Sequence, residues 1–309
     1  MTLSKALEAT LNGGPASLDR ATFPEPADRR DLLLAILTIY DLHTAPLHRL
    51  GGRARAQHHP AIAGLKTALE TAYLQGFSAI DAGRDVDAVA AIRRIATADL
   101  VPPVYDWLAH EATWPELVEF LAIEGGPDAG FDDLVAAAQI GLDGEAKLEL
   151  ARNYWDEMGN GSLDRVHTEL HNRLVEAIDM PRFAREQLPV EALERAALGS
   201  VLATNRWLQP ELLGALGLLE LQAGPRCRKV VQALRRLDAP AGAFPFYEEH
   251  ATVDPHHGKA WLDNAIAPLA VEHPEWAARM VEGARWRSKA NRRFFDAMAV
   301  RFGVERLAA

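Results

Sequence analysis

Apolar residues recur at helical spacing along most of this chain, and no other feature of the sequence constrains its fold as much. No segment shows a convincing alternation of apolar and polar residues, and no repeat of fixed period is present. Alanine, leucine, glutamate and arginine dominate while β-branched residues are sparse, which favours helix. Because short connections containing proline and glycine separate the helical segments, we predict an all-α bundle of antiparallel neighbours.

The same spacing predicts the individual helices. In chain order they cover residues 31–42, 61–77, 85–96, 114–124, 130–142, 145–157, 162–178, 189–205, 210–222, 225–237, 246–270 and 274–302. Thr113 and Glu116 form a T-x-x-E capping box where the helix over 114–124 begins. Residues 1–28 are mixed and contain proline, which favours a partly extended start.

A boundary is predicted near residue 98. Pro102 and Pro103 break a helix there, because proline lacks an amide hydrogen and its ring clashes with the preceding turn. We therefore interpret residues 1–97 as an N-terminal helical extension and residues 98–309 as the main helical domain.

Charge and cysteine content limit the classes of function. The 309 residues carry a formal net charge of −10, which disfavours binding to nucleic acid or to an anionic membrane. The start of the chain does not resemble a signal peptide, and no stretch reaches the ~18 apolar residues of a membrane span, so we expect a cytoplasmic protein. Cys227 is the single cysteine, so any metal must be bound by histidine, aspartate and glutamate.

The stretch FYEEHATVDPHHGKAW, residues 246–261, combines three histidines and an aspartate with aromatic residues. On a helix, His250, Asp254 and His257 would lie within roughly 40° of one another. Imidazole and carboxylate groups on one face suit iron, manganese or zinc. An exposed polar loop is the alternative, and Pro255 disfavours helical geometry at Asp254 and so loosens the predicted shared face.

Two glutamates stand where helical spacing predicts apolar residues. Glu220 follows leucines at i−7 and i−4, and an unpaired buried carboxylate there would cost several kcal/mol. Its charge requires a metal ion or an arginine, unless the acid is neutral. Glu124 follows leucines at i−7 and i−3, and a helix-end glutamate in solvent is the alternative there.

Glu157 precedes a glycine-containing break, and His167 follows ten residues later. On one straight helix the two would lie roughly 80° apart, but Gly159 and Gly161 allow the helix to restart so that both point inward. His171 lies one turn beyond His167 and is a competing ligand. A single histidine on an apolar face is more commonly part of the core than a ligand.

These candidates together offer about seven oxygen and nitrogen donors in a helical core, which suits two ions bridged by carboxylates. Hard oxygen donors and imidazole without thiolate fit iron or manganese better than a structural zinc site, which is usually rich in cysteine. The predicted metal ligands are Glu124, Glu157, His167, Glu220, His250, Asp254 and His257.

Two motifs in this order resemble those of the haem-oxygenase-like diiron oxidases, a family of iron-containing redox enzymes. They are DEMGNG at residues 156–161 with His167 after it, and H-x3-D-x2-H at residues 250–257. The resemblance covers roughly residues 98–309 and implies a haem-oxygenase-like bundle of about seven core helices. It also implies that the seven predicted ligands bind two iron ions, Fe(II) or Fe(III), with O2 as co-substrate and no haem. A Mn/Fe pair stays open, and Asp156 and Asn153 would support the ligands.

The resemblance implies oxidation of a small organic substrate, amino-acid-like or fatty-acid-like, by N-oxygenation, desaturation or C–C cleavage. Arg152 and Arg165 near the first motif favour an amino-acid-like substrate, although a solvated ion pair explains them equally well. One alternative is a metal-binding or ferroxidase-like bundle without small-molecule turnover, and another is a structural helical interaction protein. The resemblance also leaves room for a homodimer formed through residues 1–97.

Overall fold

The computed structural model describes residues 1–77, 86–125 and 130–304, and all regular secondary structure in these ranges is helical. The all-α prediction is therefore confirmed. The first part of the chain contains α1 (Leu3–Asn12), α2 (Pro15–Leu18), α3 (Arg29–Thr44), α4 (Leu47–Leu50), α5 (Pro60–Gln75) and α6 (Ala88–Ala98), with a 3-10 segment over Gly51–His58.

The second part contains the longer helices. These are α7 (Pro103–His110), α8 (Trp114–Gly125), α9 (Phe131–Ala138), α10 (Gly144–Glu157), α11 (His167–Ala177), α12 (Val190–Thr204), α13 (Gln209–Arg236), α14 (Phe244–Ala260), α15 (Ala267–Glu272) and α16 (Pro274–Arg301). A π-helical turn over Trp261–Ile266 joins α14 to α15, and short 3-10 turns cover Gly159–Gly161, Leu163–Arg165, Arg185–Gln187, Arg206–Leu208 and Ala241–Ala243.

Two local predictions were wrong. The chain start contains helices α1 and α2, and Asp31 accepts hydrogen bonds from the amides of Leu3 and Ser4 at the beginning of α1. The two helices predicted over 210–222 and 225–237 are one helix, α13, which continues through Pro225. The break predicted at Pro102 and Pro103 is confirmed, since α6 ends at Ala98, but Pro103 also begins α7, a helix that the sequence did not predict.

Other boundaries agree within a few residues. The capping interaction at α8 is present, since the amide and hydroxyl of Thr113 both donate to the carboxylate of Glu116, at 2.8 and 2.6 Å. The helix predicted over 162–178 begins only at His167, after two 3-10 turns. Asp85, where another helix was predicted to begin, lies outside the described residues.

Helix α13 runs through the centre of the fold and packs against α14, α16 and α7. Glycines permit the closest approaches, because a side chain at Gly214 would collide with the carbonyl oxygen of Met280, and one at Gly283 with that of Glu211. At these contacts the backbones of α13 and α16 meet without side chains between them. The packing fixes the position of α13, the helix that carries Glu220.

The helices of residues 1–97 pack against α12 and α16 and share one apolar core with the rest of the described chain. Glu194 in α12 anchors them: its carboxylate lies 2.5 Å from the guanidinium of Arg29, and its carbonyl accepts a 2.7 Å hydrogen bond from Tyr73. Within the described ranges, no helix is both long and apolar enough to cross a membrane.

Candidate metal centre

One group of candidate ligands combines Glu157 at the end of α10, His167 at the start of α11 and His250 in α14. One ligand atom of each lies within 4.8 Å of the others, and Glu157 Oε2 is 2.7 Å from His167 Nδ1. The rings of His167 and His250 have centroids 4.5 Å apart. The 2.7 Å between Glu157 Oε2 and His167 Nδ1 is close to the ~3 Å that separates two ligand atoms of one ion when each bond is about 2.1 Å long.

A second group combines Glu157 with Glu220 of α13 and His257 of α14, again with ligand atoms within 4.8 Å of one another. His257 Nδ1 lies 3.7 Å from Glu220 Oε2. All three residues are buried, with at most 8% of their surface exposed. Glu157 belongs to both groups, which is the position that a carboxylate bridging two ions would take.

The turn after α10 brings His167 back to Glu157. Gly159 has φ +61°, and a side chain there would lie 2.5 Å from the carbonyl carbon of Arg165, so the chain folds onto itself at this glycine. Asn160 also has positive φ, at 53°. The glycine-containing break therefore restarts the helix, as the sequence predicted.

Close packing of α13 on α14 brings Glu220 to His257. A Cβ atom at Gly258 would lie 2.9 Å from the Cα of Leu221, and one at Gly224 would lie 2.8 Å from the ring of Pro255. Pro255 does not break α14, which remains helical to Ala260.

The carbonyl of Ala251 would lack a hydrogen bond because the residue four positions later is a proline. It accepts one from Arg228 Nη1 of α13, at 3.1 Å. This bond from the neighbouring helix compensates for the proline, and the segment that carries the candidate ligands of α14 stays regular.

The carboxylates of this site are costly to bury. Burial raises the pKa of Glu220 to about 7, despite the opposing effect of His257. Burial, together with Glu220 and Glu157, raises the pKa of Asp254 well above its usual range. Within the described ranges, no lysine or arginine lies within 4.0 Å of Glu157, Glu220 or Asp254. Their charge therefore lacks a nearby protein cation other than histidine.

Neighbouring side chains orient the candidate ligands. Asn153 Nδ2 donates to Glu220 Oε1 at 2.9 Å, and His257 Nε2 lies 2.8 Å from Asp156 Oδ2. His250 Nδ1 lies 2.6 Å from the carbonyl oxygen of Phe246, to which it donates, so its other nitrogen is the one able to bind a metal. Asp156 and Asn153 thus take the supporting positions predicted for them.

Two buried imidazole nitrogens fit a metal particularly well. His167 Nδ1 and His257 Nδ1 are buried and make no aligned hydrogen bond within the described structure, and each faces a carboxylate. A buried polar atom without a hydrogen bond is uncommon in a folded protein. Together with an oxygen and imidazole donor set free of thiolate, these atoms fit iron or manganese.

The two remaining predicted ligands lie at the margin. Asp254 is buried and its Oδ1 is 4.0 Å from His257 Nδ1, but it belongs to neither three-residue group. Glu124 ends α8, half-buried, and accepts a hydrogen bond from the hydroxyl of Tyr105. Tyr105 was missed in the sequence because Pro102 and Pro103 before it were interpreted only as helix breakers.

The structure also shows the partners of His171, Arg152 and Arg165, which the sequence placed near the site. His171 packs its ring on Phe246, at 5.2 Å between centroids, and His167 takes the position beside Glu157 instead. Arg152 pairs with Glu149 at 3.3 Å and Arg165 with Glu249 at 2.9 Å, and both arginines are more than half exposed. They form solvated ion pairs and do not support an amino-acid-like substrate.

Comparison with known proteins gives two matches. Residues 118–292, more than half of the chain, match a family described as iron-containing redox enzymes. A nitrosourea synthase from Streptomyces achromogenes subsp. streptozoticus is 28% identical over 138 residues, which cover 43% of this chain and 29% of the relative. The chain thus spans less than a third of the length of that relative.

Proposed function

This chain belongs to the iron-containing redox enzymes, and from that premise we propose that it is a non-haem diiron oxidase that uses O2 to oxidise a small organic substrate. The observation that carries the proposal is the sharing of Glu157 between two groups of three metal-ligating side chains. Family membership supports redox chemistry with iron, and the shared carboxylate supports two ions rather than one.

In this proposal Glu157, His167 and His250 hold one ion, while Glu157, Glu220 and His257 hold the other. Asp254 and Glu124 complete the set from the margin of the site. Two bound iron ions would supply the electrons for O2 activation and the oxidising power for the substrate. Haem has no role here, and a Mn/Fe pair is an alternative that the metal content of the purified protein distinguishes.

The protein's own groups prepare the site. Asp156 accepts a hydrogen bond from His257 Nε2, which fixes the tautomer that offers Nδ1 toward Glu220. The carbonyl of Phe246 does the same for His250. Asn153 orients the carboxylate of Glu220. Because Glu157 and Glu220 are buried, bulk water is excluded from the carboxylates of the centre.

The relative is a nitrosourea synthase, and N-oxygenation of a small nitrogen compound is therefore one candidate reaction for this chain. Desaturation and C–C cleavage are the other candidate reactions. A ferroxidase-like bundle would use the same ligands without an organic substrate. A homodimer through residues 1–97 and a cytoplasmic location stay predictions.

Anaerobic titration of metal-depleted protein with Fe(II) tests the proposal. We expect about two ions per chain, because two ligand groups share Glu157, and a transient visible absorption on mixing with O2. Glu157→Gln should lower binding at both positions. Glu149→Gln is the matched control, since Glu149 is buried on the same helix but lies outside both groups.

Equal iron binding by the Glu157→Gln and Glu149→Gln variants would contradict the proposal. A stoichiometry of one or no ion in the unmodified protein would also contradict it. Consumption of O2 that increases with an added organic compound separates an oxidase from a ferroxidase-like bundle, which consumes O2 in proportion to Fe(II) alone.

A further inference from the structure

Tyr105 places a buried hydroxyl against the carboxylate of Glu124. The tyrosine belongs to α7, is 3% exposed, and donates its hydroxyl hydrogen to Glu124 Oε1. Its ring is fixed between Phe120 and Phe295, with centroids 5.6 and 5.4 Å away.

Glu124 borders the candidate metal centre. A Cβ atom at Gly125, the next residue, would lie 3.2 Å from His171 Nε2. The ring of His171 contacts Phe246 at 5.2 Å, and the ring of Phe246 contacts His250 at 4.4 Å. Two ring contacts therefore connect the end of α8 to a candidate ligand of α14.

We infer that Tyr105 is a positioning residue that sets the orientation and the basicity of Glu124 for metal binding. The inference rests on the proposed function, since it assumes a metal centre. An ionised carboxylate offers about four acceptor positions, and the phenol of Tyr105 occupies one of them on Glu124. Such a bond fixes the rotamer and withdraws charge, and comparable partners of metal ligands affect metal affinity ~10–100-fold.

Anaerobic metal binding by a Tyr105→Phe variant tests the inference. Fe(II) is titrated in competition with a chelator, and Co(II) serves as a second probe because its visible absorption reports its ligands. The matched control is Tyr73→Phe, which removes another buried hydroxyl, one that donates to the carbonyl of Glu194 at 2.7 Å. We expect Tyr105→Phe to lower the affinity for one ion ~10-fold and to change the Co(II) spectrum, whereas Tyr73→Phe leaves both unchanged.

Tyr105→Phe protein that retains its helical circular dichroism and matches the unmodified protein in affinity and spectrum would overturn the inference alone. If the unmodified protein binds fewer than two ions, the proposed function fails first and the inference fails with it. If Tyr105→Phe does not fold, Glu124→Gln supplies the second route, because glutamine still accepts from the phenol. We expect the same loss of affinity for one ion there, and unchanged affinity would overturn the inference.

Discussion

Buried acids in two regions of this molecule differ in their partners. Where residues 1–97 meet the main bundle, Glu70 and Glu194 lie close to lysine or arginine: Glu70 is 2.6 Å from Lys66, and Glu194 is 2.8 Å from Arg293. At the candidate metal centre, no lysine or arginine of the described chain lies within 4.0 Å of Glu157, Glu220 or Asp254. The first region therefore supplies its own cations, whereas the second has only histidine as a cationic partner among the described residues.

This difference distinguishes a structural acid from a candidate ligand better than burial does. Glu70 and Glu220 are both less than 10% exposed, so exposure alone does not separate them. Glu70 accepts from Asn205 at 2.7 Å and from the hydroxyl of Tyr40 in addition to its lysine. Among the described residues, Glu220 accepts a hydrogen bond from Asn153 alone, and burial raises its pKa to about 7. The comparison is therefore tested by replacing each carboxylate and measuring the change in unfolding free energy and in Fe(II) affinity.

The largest effect on stability is expected for Glu70→Leu. The change leaves Lys66, whose side chain is only 15% exposed, without its carboxylate. Breaking a buried pair by removing one partner typically costs roughly 3–5 kcal/mol. Urea unfolding of the metal-free protein measures the loss, and a change below ~1 kcal/mol would mean that this pair is as dispensable as an exposed one.

Glu220→Leu should have the opposite effect on the metal-free protein. Removing a buried carboxylate that has no lysine or arginine partner should leave the unfolding free energy unchanged or raise it by roughly 1 kcal/mol. The affinity for Fe(II) should fall at least ~100-fold, because a direct ligand contributes no less than its hydrogen-bonding partners. A loss of stability like that of Glu70→Leu, with iron binding unaffected, would make Glu220 a structural acid and remove the contrast.

A smaller effect is expected from Asp31, which caps the start of α1. Burial would raise its pKa, but hydrogen bonds from Ala27, Ser4 and Leu3 outweigh burial and lower the pKa from 3.8 to about 2. Because the pKa is lower in the folded state, ionised Asp31 stabilises the folded protein at pH values above its ordinary pKa of 3.8. This stabilisation is lost as the pH falls through about 2. The difference corresponds to about 2 kcal/mol.

Unfolding of unmodified and Asp31→Asn protein between pH 2 and 6 measures this contribution. The difference in unfolding free energy between the two proteins should narrow below about pH 4, and a difference independent of pH would contradict the assignment.

The pKa of Glu220 is raised, so its effect on the stability of the metal-free protein has the opposite pH dependence. Its contribution is present below its ordinary pKa of 4.5 and is lost as the pH rises through about 7.

Helical spacing predicted the all-helical fold and most of the residues that meet at the candidate metal centre. It placed Glu220 on an apolar face and His250 and His257 on one face of the same helix. The proximity of Glu157 and His167 was predicted from Gly159 and Gly161, because glycine permits the positive φ that the turn between them needs.

What the sequence missed depends on packing between helices distant in the chain. Pro225 was interpreted as the start of a helix, but α13 continues through it. The break at Pro103 is present, but the sequence did not predict that α7 begins there. The hydrogen bond between Tyr105 and Glu124 joins residues of different helices and leaves no trace in the spacing of either. Pro103 could have been used to predict the start of α7, since proline favours the first position of a helix.

The close packing of α13 on α14 determines where this protein tolerates insertions and deletions. Glu220 and Gly224 are one helical turn apart on α13, and Asp254 and Gly258 are one turn apart on α14. One residue inserted between Glu220 and Gly224 would rotate the carboxylate by ~100° relative to the glycine contact and turn it away from His257. Residues 237–243 connect the two helices and lie outside this register, so a change in chain length there would not rotate Glu220 relative to Gly224.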